Sequence, residues 1–275
     1  MPETTDTGPL TVLRRIASRE EVPQARRVVV KVGSSSVSGL NTAQIAPLIE
    51  ALAEAHGRGV EIVLVSSGAI ATGIPYLRLD SRPTDLATQQ AAAAVGQNVL
   101  VYRYQESLDR FQIVAGQVLL TAGDLQDKKH RSNARRAMER LLGLRILPIV
   151  NENDTVATHE IRFGDNDRLA ALVSQLVNAE LLVLLSDVDA LYTRPPKEPG
   201  AVRIDRVAVG DDLSGIEYGG IGDTGVGTGG ASTKVAAAKL ASNSGTAVLL
   251  TSTANVAAAL SGAPVGTWFD AAVRD

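Results

Sequence analysis

The feature that most restricts this chain is a recurring pairing in which a short apolar run leads straight into a polar cluster. Residues 27–32 (RVVVKV) run into Gly33-Ser34-Ser35-Ser36, and 60–65 (VEIVLV) into Ser66-Ser67-Gly68. Residues 146–150 (ILPIV) run into NEND at 151–154, and 181–185 (LLVLL) into SDVD at 186–189. Each run has the length and β-branched or leucine-rich character of a buried strand. Between the runs, apolar residues recur at helical spacing. Residues 42–57 carry Ile45, Leu48, Ile49 and Leu52 on one side and close on Gly57 and Gly59. Further helices are expected at 86–108, 129–142, 165–178 and 230–244, and further strands at 113–119 and 247–251. Strand–helix alternation with fully apolar strands predicts an α/β protein, a mostly parallel central sheet sandwiched between helices. A barrel would also collect its site at strand carboxyl ends, so periodicity alone leaves that alternative open.

In open α/β sheets, ligands bind in the crevice beyond the carboxyl ends of the strands, where every polar cluster here falls. Composition limits the chemistry available there. With no cysteine in 275 residues, thiol catalysis, zinc-thiolate sites, iron–sulfur clusters and disulfides are excluded. The balance of 27 Lys+Arg against 30 Asp+Glu gives −3 at pH 7, which argues against a nucleic-acid partner held by a broad basic face. Aromatic residues make up only 3%, too few for a base-stacking platform. No apolar stretch is long enough to span a membrane, so no membrane partner is expected. Residues 1–25 read as an N-terminal extension, a tail plus a short helix, and 26–275 as one domain without linker or repeat. Residues 201–230 read as irregular, with nine glycines between Gly210 and Gly230, either a mobile loop or a hairpin over the site.

Lys31 with Gly33–Ser36 could converge a positive charge and backbone N–H groups on an anion, or could be a snorkelling lysine beside an ordinary turn. Ser66-Ser67-Gly68 could likewise be a site or a plain helix cap. NENDTVAT at 151–158 is more specific, because four amide or carboxylate side chains after an apolar strand are costly unless they meet solvent or a polar ligand. They suit a zwitterion, with Asp154 open to an ammonium and the amides to carboxylate oxygens; an Asx-rich turn is the plain alternative. Asp165, Asn166 and Asp167 open a helix, where acids complement the dipole, yet three in succession suggest more: Asp167 to hold lysines, Asn166 to face the substrate. The segment 225–234 (GVGTGGASTK) fits G-x-G-x-x-G only in letters. It follows no strand and lacks the later acidic partner, and no Walker-type P-loop occurs. What remains is a glycine-rich loop opening a helix, with Lys234 one turn inside, a geometry suited to a polyphosphate. His56, His130 and His159 lack metal-ligand spacing, and no G-x-S-x-G is present. The basic run at 128–136 reads as a solvated helix face.

Together, VVKVGSSS, VLVSSGAIATG, LLVLLSDVDALYT and GTGGASTK resemble the amino-acid kinase family over about 28–269. GQVLLT, IVNENDTVAT and RFGDNDRLAALV narrow the resemblance to its glutamate 5-kinase subfamily. The resemblance implies the three-layer α/β/α amino-acid kinase fold. It implies ATP and Mg²⁺ as cofactors and L-glutamate as acceptor, phosphorylated on its γ-carboxylate at the first step of proline biosynthesis. It assigns catalysis to Lys31, Asp167 and Lys234, and glutamate binding to Ser67, Asn151, Asp154 and Asn166. Nucleotide binding falls to Lys31, Gly33, Ser186, Asp187, Thr228, Gly229, Gly230, Ala231, Ser232, Thr233 and Lys234. A cytoplasmic homo-oligomer is implied, with proline as feedback inhibitor and a glutamate-5-semialdehyde dehydrogenase as recipient of the product. Two residues depart from the family pattern: Ala231 where Met is common, and Ala190 where Gly is usual. The sequence stops soon after VGTWF, so a kinase domain without the C-terminal PUA domain of many relatives is expected.

Overall fold

β1 (Arg27–Lys31) runs through the middle of the molecule with all five residues buried, as its unbroken apolar run requires. Val29 and Val30 are wholly inaccessible, and burial of side chains of this size contributes roughly 1.5–3 kcal/mol each. The computed structural model describes residues 15–157, 166–217 and 230–273. The other strands are β2 (Glu61–Val65), β3 (Ala115–Leu120), β4 (Leu147–Glu152), β5 (Leu181–Ser186), β6 (Leu191–Tyr192), β7 (Arg203–Ile204), β8 (Arg206–Val207), β9 (Ala247–Ser252) and β10 (Thr267–Phe269). The helices are α1 (Ser34–Val37), α2 (Ile45–Gly57), α3 (Ala69–Gly73), α4 (Leu86–Asp109), α5 (Ala122–Gln126), α6 (Lys128–Gly143), α7 (Asn166–Leu176), α8 (Ala231–Asn243) and α9 (Val256–Leu260).

The main sheet has the order β3-β4-β2-β1-β5-β9-β10-β8, and β6 pairs with β7 in a separate two-stranded sheet. Every pairing from β3 to β9 is parallel; β10 runs antiparallel to β9 and parallel to β8, so these last two strands oppose the other six. Alternation along β1 sends Val28 and Val30 into one core, with α2, α4 and α9, and Val29 into the other, with α6, α7 and α8. This is the expected three-layer α/β/α sandwich with a mostly parallel sheet. Among the described residues no helix is long and apolar enough to cross a membrane.

Three local differences from the sequence reading have physical causes. The helix expected from 42 begins at Ile45, after a 3-10 turn at Gly39–Gln44. Pro47 lacks an N–H and so belongs in a first turn, where none is needed. Residues 201–217 are not wholly irregular, since β7 and β8 lie there and β8 joins the main sheet through β10. Residues 15–25, read as part of an extension, pack into the fold: Ile16 and Val22 are 1% and 2% exposed within the α2–α9 core. Arg19 reaches the carbonyls of Val265 (3.0 Å) and Gly266 (2.9 Å).

One close approach bears on the site. α3 and α4 meet backbone to backbone at Gly73 and Gly96, where a Cβ on either residue would enter the carbonyl oxygen of Ala92 or Ala69, respectively. The contact presses α4 against the segment that follows β2, and α4 supplies side chains to the site.

Candidate active site

The carboxyl ends of β1, β2, β4 and β5 point the same way, so the four polar clusters of the sequence come together along one edge of the sheet. Lys31 closes β1, and Asp167 stands in the first turn of α7. Asp167 is completely inaccessible, and Lys31 is 4% exposed. The Lys31 ammonium pairs with Asp167 Oδ1, while Lys234 Nζ, from the first turn of α8, lies 3.2 Å from Oδ2. Thr233 Oγ1 stands 3.4 Å from the same Oδ2 and donates to the Gly230 carbonyl at 2.9 Å, bracing the start of α8. Burial by itself would raise the Asp167 carboxyl, but the charges of Lys31 and Lys234 hold it down, to about 2. The carboxylate is therefore ionised at any physiological pH. Two ammonium groups share one carboxylate, so among the described residues one positive charge in this cluster is uncompensated.

The opposite end of β1 makes the contrast. Arg27, 7% exposed, donates to Glu61 at 2.7 Å and to Glu139 at 2.7 and 2.9 Å. That cation is matched by two carboxylates, whereas among the described residues the Lys31–Asp167–Lys234 cluster sets two ammonium groups on one carboxylate.

Beside it stands a second cluster made of amides. Asn166, next to Asp167 on α7, donates to the Ser66 carbonyl and to Asn151 Oδ1, each at 2.7 Å. Asn151, 3% exposed at the end of β4, also accepts from the Glu152 N–H at 2.9 Å and donates to Gln97 Oε1 at 3.1 Å. Its oxygen thus accepts two hydrogen bonds and its amino group donates one, all inside the protein. Ser66 Oγ lies 2.8 Å from the hydroxyl of Tyr104, whose phenol burial pushes up to about 12, offset in part by that serine. Ser67 is half-buried, and its hydroxyl makes no hydrogen bond among the described residues. Gly68, with φ +85°, turns the chain into α3 so closely that a Cβ would lie 3.1 Å from Ser34. This contact holds the segments after β1 and β2 together.

The remaining expected residues line the same edge. Gly33 caps α1, where a Cβ would come within 4.0 Å of Lys31 Nζ. Ser186 closes β5, and its hydroxyl donates to Asp187 at 3.0 Å. The hydroxyls of Ser36 and Thr253 are 2.8 Å apart, and Thr253 donates to the Ser186 carbonyl at 3.4 Å, lacing the ends of β1, β5 and β9. Asp154 is half-buried in the turn after β4, and Gly230, Ala231 and Ser232 open α8. Thr158, His159, Asp165, Thr228 and Gly229 lie outside the described residues. Gln97, Tyr104 and Thr253 were not anticipated. Gln97 and Tyr104 sit in the Ala-rich α4, and Thr253 in the short 3-10 turn after β9; only long-range pairing reveals what each one holds.

The family model described as the amino acid kinase family matches residues 26–252. A glutamate 5-kinase of Clavibacter sepedonicus is 76% identical over 253 residues, covering 92% of this chain and 97% of the relative. The chain belongs to the amino acid kinase family. A glutamate 5-kinase of Leifsonia xyli subsp. xyli is 72% identical, with 92% and 94% of the two chains covered. That of Thermobifida fusca is 56% identical, but the match covers only 66% of its length. Among solved structures, carbamate kinase from Giardia lamblia bound to AMP-PNP superposes with a TM-score of 0.64, covering 91% of this chain and 100% of that one. At 17% identity it establishes that the amino acid kinase fold is shared.

Proposed function

We propose that this chain transfers the γ-phosphoryl group of ATP to the γ-carboxylate of L-glutamate, giving γ-glutamyl phosphate at the first step of proline biosynthesis. The observation that carries the reading is the pairing of two ammonium groups, Lys31 and Lys234, with the one buried carboxylate of Asp167, set beside the amide cluster of Asn166. The extent of identity to glutamate 5-kinases supports the acceptor.

A free carboxyl titrates near pH ~4, so the attacking oxygen is ionised at neutral pH and no general base is needed. The obstacle is bringing an anion to a polyanion and holding the charge of the in-line transition state. Cations held in advance meet that need. At an effective dielectric of about 20, unit charges about 4 Å apart interact by roughly 4 kcal/mol. Asp167 fixes both ammonium groups, so they need not reorganise during transfer. Lys31, Gly33, Ser186, Asp187 and the segment from Thr228 to Lys234 form the nucleotide side in this reading. Ser67, Asp154 and Asn166 form the glutamate side, and Asn151 supports Asn166. A Mg²⁺ ion would enter with the nucleotide, because Mg²⁺ is usually held by substrate phosphates with one or two carboxylates. When bound, the ion neutralises phosphate charge.

The same reading takes the enzyme as a cytoplasmic homo-oligomer restrained by proline, with a glutamate-5-semialdehyde dehydrogenase receiving the labile acyl phosphate. ADP release measured with glutamate, acetylglutamate and aspartate, with and without proline, tests it. Glutamate should be the preferred acceptor and proline should compete. Faster turnover of another acceptor would overturn the assignment.

A further inference from the structure

The amide cluster has a polarity that can be worked out bond by bond. Backbone carbonyls only accept and backbone N–H groups only donate, so they decide which way each neighbouring amide faces. Gln97, 7% exposed on α4, has its Nε2 at 3.3 Å from the Glu152 carbonyl, which fixes its amino group on that side. Its Oε1 therefore faces Asn151, whose Nδ2 must donate. Asn151 Oδ1 is then turned to the Glu152 N–H and to Asn166 Nδ2. At the far end, Asn166 Nδ2 also meets the Ser66 carbonyl, which again only accepts. The backbone at both ends of the relay thus demands the same orientation throughout. Asn166 spends both amide protons inward, and its carbonyl oxygen is the one atom of that amide left for a ligand.

We propose that Gln97 is a positioning residue for the amino-acid substrate: acting through Asn151, it holds Asn166 as a hydrogen-bond acceptor, and the group Asn166 takes is a donor, the α-ammonium of the substrate. The inference rests on the glutamate reading above and narrows it. A carboxylate, which has no proton to give, is excluded from this position, so the α-carboxylate must be met by other groups. Asn166 itself remains the contact residue. Gln97 sits one amide behind Asn151 and touches no substrate. Its place on α4 also explains why that Ala-rich helix carries a buried polar face, with Gln97 and Tyr104 two turns apart and reaching the ends of β4 and β2.

The experiment is steady-state kinetics on the full chain with Gln97→Met, which keeps length and packing but removes both hydrogen bonds. The glutamate KM should rise about tenfold or more, because Asn151 loses its partner and its amide is free to turn, while the ATP KM stays within about twofold. In an Asn166→Ala background, the same Gln97→Met change should alter the glutamate KM by less than about twofold, since residues acting through one contact are not additive. Gln97→Leu, which also removes both hydrogen bonds, is read in the same way should Gln97→Met fail to fold. An unchanged glutamate KM, an equal rise in both KM values, or full additivity with Asn166→Ala would overturn the proposal. The unaltered protein is the control. If it releases no ADP with glutamate, the glutamate reading falls and this inference with it. If it turns over glutamate and the variants match it, only this inference falls.

Discussion

Asp167 Oδ2 stands 3.2 Å from Lys234 Nζ across 67 residues of sequence, while its other oxygen pairs with Lys31. One buried carboxylate thereby sets the spacing of two ammonium groups carried by different elements.

Removing either cation should damage turnover more than folding. Lys31→Ala and Lys234→Ala are each expected to lower kcat by about 10²–10³, the scale seen when one preorganised donor is deleted. Each variant leaves Asp167 one partner, so circular dichroism should remain native. ADP release is the assay, and turnover within a few-fold of normal would dissociate that lysine from phosphoryl transfer.

Removing the anion should have the opposite balance. Asp167→Ala leaves two buried or half-buried ammonium groups facing each other, and loss of one partner from a buried ion pair costs about 3–5 kcal/mol. Urea unfolding should report a loss of that order. A change below ~1 kcal/mol would mean that solvent, not Asp167, balances the lysines.

The same carboxylate sets a pH dependence. Its folded pKa lies below its ordinary value of 3.8, at about 2. The stability it contributes is therefore present above the unfolded value and is lost as pH falls through the folded one. Acid titration of the intact protein should show no loss attributable to Asp167 above about pH 5, with the loss developing between about pH 4 and pH 2. Asp167→Asn should abolish that acid-limb component; an identical acid limb in the variant would contradict the assignment.

Asp154→Ala should raise the glutamate KM more than the ATP KM, because Asp154 stands at the β4 end with the amides and not at the α8 end with Lys234. Equal effects on both would make it a structural turn residue.

At the α3–α4 contact, Gly96→Ala places a methyl group against the Ala69 carbonyl. Backbone cannot yield as a side-chain tip does, so the variant should lose about 1–3 kcal/mol, seen as a lower urea midpoint. Unchanged stability would show that the helices can separate without cost.

Much of the fold was legible because β1, β2, β4 and β5 are buried on both faces and leave uninterrupted apolar runs. Lys31, Asp167 and Lys234 stood out by their places at a strand end and at two helix starts, but only the family resemblance joined them into one group; their shared burial is visible in the fold alone. β10 was not legible. Thr267–Phe269 is three residues long, and nothing in so short a run tells antiparallel from parallel pairing. Gln97 was hidden by its setting, since a lone glutamine in AAAAVGQNVL looks solvent-facing until Asn151, 54 residues away, is found against it. The orientation of Asn166 was inaccessible for the same reason. Its side chain alone could serve an ammonium or a carboxylate, and only the Ser66 carbonyl and Asn151 decide between them.

The position of β1 governs how the molecule can be made. β1 is synthesised before the other strands of the sheet, yet its neighbour β5 ends at Ser186, and the next strand out, β9, ends at Ser252. Arg19 waits still longer, for the carbonyls of Val265 and Gly266. During translation the earliest strand must therefore remain with one edge unpaired while some 150 further residues are added. A nascent chain stalled before β5 would present Val28, Val29 and Val30 along an open edge, the form of this protein with most need of a chaperone.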